Sequence, residues 1–256
     1  MVFNAEETYN NAFHRYHEPD APTELWSDYK ASSHLEPLLT CRQFYTDAHL
    51  LALSRTLFIV TNPYIALDIG NHLSTRLRKE QIESLRYMAF VADARHFRQL
   101  GQWRSYPFGQ PALQLDELSI ILHRSSYWHY LFDFNVALCT LLRSLTGVQR
   151  VTFIRNNALV KGTLHTWYNR FIKLVLKTDH QERYSKSPPC PETSWWNWEH
   201  SPSLQTVSLS NLPAKCADLT KEAYDLVIKP LQEKLLESME SEVEDPDPMS
   251  RVSVGL

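Results

Sequence analysis

Residues 38–60, LLTCRQFYTDAHLLALSRTLFIV, carry the clearest pattern of apolar and polar positions in the chain. Cys41, Phe44, Tyr45, Ala48, Leu51 and Ala52 recur at the spacing that aligns side chains on one helix face. Arg42, Gln43, Thr46, Asp47 and His49 fall on the other face. The spacing predicts an amphipathic helix with Cys41 inside it as a small core hydrophobe. TLFIV (56–60) is β-branched and aromatic, which predicts a strand, and Asn62-Pro63 ends it.

Further along, Ile65, Ile69, Leu73 and Leu77 predict a helix. SLRYMAFVA (84–92) alternates through Leu85, Tyr87, Ala89 and Val91 and predicts a strand, as do DELSIILH (116–123) and VQRVTFI (148–154). FNVALCTLLRSL (134–145) reads as a helix with Leu138, Leu141, Leu142 and Leu145 inward. LVKGTLHTWYNRFIKLVLK (159–177) reads as a helix burying Leu164, Trp167, Tyr168, Phe171, Ile172 and Val175. Residues 178–203 are expected to form a long loop stiffened by Pro188, Pro189 and Pro191, followed by a short strand at 204–212. A last helix starts near Asp218 or Thr220, both good N-cap types, and Pro230 is expected to kink or break it.

Strands and helices therefore alternate. The predicted strands begin at 56, 84, 116 and 148, intervals of about 30 residues. This implies a mixed α/β fold with a partly parallel sheet, compatible with irregular leucine-rich-repeat-like units. Residues 1–34 read as a loose polar lead-in, 35–232 as a single α/β domain, and 233–256 as an acidic, disordered tail.

Composition narrows the picture. The 256 residues carry a net charge of -3, which offers no bulk attraction to nucleic acid or anionic membrane. Cys41, Cys139, Cys190 and Cys216 form no closely spaced pair and read as reduced thiols. The longest apolar run, YWHYLFDFNVALCTLL (127–142), is too short to span a bilayer, and the N-terminus lacks the basic-then-apolar run of a signal peptide. The expectation is an intracellular protein, cytoplasmic or nuclear, that binds neither nucleic acid nor membrane.

The string Leu38, Leu39, Thr40, Cys41, Arg42, Gln43, Phe44, with Asp47 and Ala48, resembles a helix of fungal F-box-like proteins of the two-EXR type and their relatives. Thr56 to Val60, and then Ile82, Ser84, Leu85 and Arg86, match the strand signals that follow it in that family. The resemblance covers roughly residues 35–155. The family's opening F-box-like segment has only a degenerate counterpart here, APTELWSDY (21–29). The resemblance implies a non-catalytic interaction or adaptor protein.

Motifs for common chemistries are sparse. The six glycines fit neither a dinucleotide fingerprint nor a P-loop, and there is no GxSxG elbow. His14 and His17 read as solvated rather than as metal ligands, so no metal or cofactor is expected. Two stretches stand out. His123, His129 and Asp133 lie in an aromatic-rich run, HRSSYWHYLFDF, and could supply proton transfer in an enzyme or accessory protein of secondary metabolism holding an apolar small molecule. Trp195, Trp196 and Trp198 in SWWNW are expected to present at least one exposed aromatic to a protein partner.

Overall fold

A computed structural model describes residues 12–14, 22–61, 69–92, 109–123, 141–142, 145–158, 168–169, 172–177, 184, 193–215 and 219–240. Two short strands, β1 (Phe13–His14) and β2 (Glu24–Leu25), pair with each other. Helix α1 (Ala31–Leu35) runs into a 3-10 turn (Glu36–Leu39) and then helix α2 (Arg42–Arg55). Strand β3 (Leu57–Val60), helices α3 (Ile69–Arg76) and α4 (Lys79–Ser84), and strands β4 (Tyr87–Ala92), β5 (Leu115–Leu122) and β6 (Val148–Ile154) follow. A hairpin of β7 (Thr193–Ser201) and β8 (Thr206–Lys215) precedes helix α5 (Lys221–Glu240).

The fold is the mixed α/β class expected. The main sheet has six strands in the order β3-β4-β5-β6-β8-β7. The first four are parallel and stand in chain order, while β8 and β7 add antiparallel strands at one edge. Parallel strands added always on the same side, with crossovers of one hand, carry their connections over the same face. The packing agrees. Leu53, Ile69, Leu73, Ile82, Ile172, Leu176, Tyr224 and Ile228 cluster with Met88, Phe90, Leu118, Ile120, Val151, Phe153, Val207 and Leu209. Each fully buried aliphatic or aromatic there stabilises the fold by about 1.5–3 kcal/mol. The far face of the sheet is left without helices among the described residues of its cluster.

Gly147 adopts φ 74 just before β6, and its carbonyl accepts the Leu115 N–H at 2.7 Å. A side chain there would be strained, so the lone glycine sets the start of β5 against β6.

Several expectations need correction. Cys41 is exposed and is not a core residue. It sits at the N-cap of α2 in extended conformation, and its Sγ accepts the Phe44 N–H at 3.3 Å. The buried face of α2 is Ala48, Ala52 and Leu53 with half-buried Phe44, whereas Tyr45 and Leu51 are exposed. The segment 84–92 is not an alternating strand throughout. Ser84 ends α4, and Met88 to Ala92 are all buried, because a central parallel strand is covered on both faces.

The long loop expected at 178–203 contains the nine-residue strand β7. The helix α5 continues through Pro230 without a break, and residues 233–240, assigned to the tail, belong to it. Its N-cap is Thr220, whose Oγ1 accepts the Ala223 N–H at 3.2 Å. The lead-in is not loose where it is described, since Ala12 and Phe13 are buried. The helices expected at 134–145 and 159–177 are described only in part, and there Leu141, Leu142, Ile172 and Leu176 are buried.

Candidate functional site

Of the catalytic candidates, His123 stands just past the end of β5, half-buried, with its backbone N–H donated to the Ala92 carbonyl at 3.0 Å. His129 and Asp133 lie outside the described residues. The three tryptophans are on strand β7, whose period-two alternation separates its two faces. Trp196 is a core residue rather than a surface anchor, and its Nε1–H donates to the Leu142 carbonyl at 3.2 Å. Trp198, two positions on, is half-buried against the same core. The side chain of Trp195 lies outside the described residues. His200, next on that face, stacks on Tyr168 with ring centres 5.0 Å apart, and burial raises the Tyr168 pKa.

The far face of the sheet carries a different constellation. Cross-strand register places Tyr87, Glu117, Arg150, Ser210 and Asn197 in one row. Four gaps between neighbouring strands put about 19 Å between its ends. Arg150 and Asn197 are exposed, and Tyr87, Glu117 and Ser210 are half-buried. Among the described residues neither Glu117 nor Arg150 forms an ion pair.

The Tyr87 phenol shows how charge gathers at one end of this row. Its pKa is raised, mainly by burial and next by the Asp116 carboxylate, with Glu117 adding to the shift and Arg55 and Arg86 opposing it. Two carboxylates and two guanidinium groups thus lie within electrostatic reach of one hydroxyl. Arg86 is held in place by a donor bond from its Nη1 to the Gln114 carbonyl at 3.1 Å.

Two residues along each strand, the next row is Ala89, Ser119, Thr152, Ser208 and Glu199. Ser119 and Thr152 are buried and already engaged. Ser119 Oγ donates to Glu117 Oε1 at 3.3 Å, and the Thr152 and Ser208 hydroxyls are hydrogen-bonded at 3.3 Å. The third row brings Val91, Ile121 and Ile154 together, and these pack with Leu57, Ala89 and the N-terminal residues Ala12 and Phe13.

The face therefore grades from charged and exposed at the strand starts to apolar and covered at the strand ends. Sequence reasoning passed over Glu117 and Arg150. Their signal is a charged residue in the first half of each strand, Glu117 in β5 and Arg150 in β6, ahead of a mostly apolar second half. Chemically the exposed row can accept and donate hydrogen bonds and pair with both signs of charge, which suits recognition. Among the described residues no group of three or more His, Cys, Asp or Glu side chains is placed to hold a metal, and no helix is long and apolar enough to cross a membrane. Comparison with family models, with curated proteins and with solved structures finds no match to this chain.

Proposed function

We propose that this chain is a non-catalytic protein-interaction module acting inside the cell, with the charged row on the far face of the sheet as its recognition surface. The observation that carries the reading is the pair Glu117 and Arg150, adjacent in register and without an ion pair among the described residues. Charges without a partner of opposite sign on a sheet surface favour partners that supply the complement, and they set specificity and encounter rate more than raw affinity. The likeness of residues 35–155 to fungal F-box-like proteins supports an adaptor role, in which one surface holds a client and another a larger assembly.

Affinity capture from a fungal lysate with the wild-type chain and with Arg150→Glu tests this. A partner held by the wild type and lost by the variant, with the melting temperature unchanged, is the expected result. Equal capture by both chains removes the row from the interface, and no specific capture by either removes the module reading. A cullin-ligase adaptor subunit among the captured proteins would identify the larger assembly.

A further inference from the structure

The charged row is a rim without a centre. Specific interfaces bury about 800 Å² on each partner around an apolar core. A row of mostly polar positions does not supply that core. The residues that could are Val91, Ile121 and Ile154, further along the same strands and on the same face, with Leu57 and Ala89 beside them. They are covered by the chain's own N-terminal strap, described at residues 12–14 and 22–29. Tyr87 belongs to the row and also packs against this apolar cluster, so rim and centre are continuous.

We infer that the strap is a displaceable cover over the apolar centre of the recognition face, standing where an extended, aromatic-bearing segment of the partner would lie. This rests on the reading of the far face as the recognition surface. Among the described residues the strands of the strap pair with each other, Phe13 with Leu25 and His14 with Glu24, in a sheet separate from the main one. Individual hydrogen bonds, rather than a strand ladder, tie its described residues to the body. The Leu25 N–H donates to Asn156 Oδ1 at 2.8 Å, and the Thr23 N–H donates to the Leu204 carbonyl at 3.0 Å. Tyr29 Oη donates to the Leu57 carbonyl at 2.7 Å, and Asn157 Nδ2 donates to Glu24 Oε1.

Closure also carries a cost. The Thr23 hydroxyl is buried with no hydrogen-bond partner among the described residues and would regain water on opening. What sits under the cover defines the chemistry of a replacement. Ala12, Phe13 and Leu25 fill the seat now, so a small residue followed by an aromatic, on an extended backbone, fits it.

Native-state hydrogen exchange on the full chain tests the cover directly. The Leu25 and Trp26 amides are expected to exchange at least about tenfold faster than core amides of β5 and β6, as a separate unit of local opening does. Asn156 has φ 50, so Asn156→Gly removes its side-chain bonds without backbone strain. That variant and Phe13→Ala should each speed strap exchange a further roughly tenfold. Phe13→Ala should leave β5 and β6 unchanged, and Asn156→Gly should affect β5 only at its end, where Asn156 Nδ2 donates to the Leu122 carbonyl at 3.3 Å. A labelled synthetic peptide of residues 10–28 should bind the full-length Phe13→Ala chain at least about tenfold more tightly than wild type, because that variant weakens the cover and leaves its seat intact.

Strap amides that exchange together with β5 and β6, or a peptide that binds Phe13→Ala no more tightly than wild type, overturn the inference. Should Asn156→Gly fail to fold, Phe13→Ala carries both measurements. Arg150→Glu lies outside the strap, so loss of the recognition reading and loss of the cover are separately visible.

Discussion

At the scale of single residues, polar partners decide roles that hydrophobic character alone suggests differently. Cys41 caps a helix through its sulfur and faces solvent. It should react with a thiol reagent in the native protein nearly as fast as after denaturation. Cys41→Ser keeps an acceptor at the N-cap and should change stability by less than about 1 kcal/mol. Slow native labelling would place the sulfur inside. Tyr45, exposed and stacked on His49 with ring centres 4.8 Å apart, should be nearly neutral to truncation. Trp196 is the opposite case. Its replacement by Ala should cost about 3–5 kcal/mol in urea unfolding, the range for large aromatic truncations in cores. A loss below about 1 kcal/mol, the size expected at a surface site, would contradict its burial.

Tyr29 adds a pH signature at the same scale. Burial pushes its pKa well above the ordinary value of 10.0, and its hydroxyl donates to the Leu57 carbonyl. The folded state therefore holds this proton more tightly than the unfolded chain does. That contribution is fully present below about pH 10 and falls as pH rises beyond it. Tyr29→Phe should flatten the alkaline decline of the unfolding free energy, and an unchanged slope between pH 9.5 and 11 would sink the assignment. Spacing made the helix around Cys41 legible but misplaced its face by about one position. A cysteine at an N-cap and a cysteine in a core look alike in a pattern that scores only hydrophobicity.

Elements were most legible where β-branched runs were bounded by turn residues. The strand expected at 148–154 is the strand observed, and 116–123 differs by one residue at each end. Strand β7 was hidden because prolines and tryptophans suggested a long loop. Its signal was present all the same, in the alternation of Trp196, Trp198 and His200 with Asn197, Glu199 and Ser201. Helix α5 runs through Pro230 because its buried stripe of Tyr224, Ile228 and Leu231 continues on both sides of the proline. Packing thus offsets the lost backbone bond. Pro230→Ala should restore a donor and raise stability by about 1–3 kcal/mol. A drop in melting temperature would mean that the stripe depends on a bend set by the proline.

For the whole molecule, strand order decides where function can sit. Strands laid down in one direction send their helices to one face, and the other face must be closed by something else or left to solvent. Both happen here: the strap covers Val91, Ile121 and Ile154, while Glu117 and Arg150 remain at the surface. This division was not legible in the sequence, because it depends on register across strands that lie about 30 residues apart along the chain. Nor could the polar lead-in announce that Ala12 and Phe13 fill a core. The arrangement makes one further outcome testable. Removing residues 1–29 takes away the cover but none of the six strands of the sheet. The truncated chain should keep its β-sheet circular dichroism, bind an apolar dye, and associate with rising concentration in sedimentation velocity, as an exposed apolar patch drives. A monomer that binds no more dye than the full chain would show that another part of the molecule closes that end of the face.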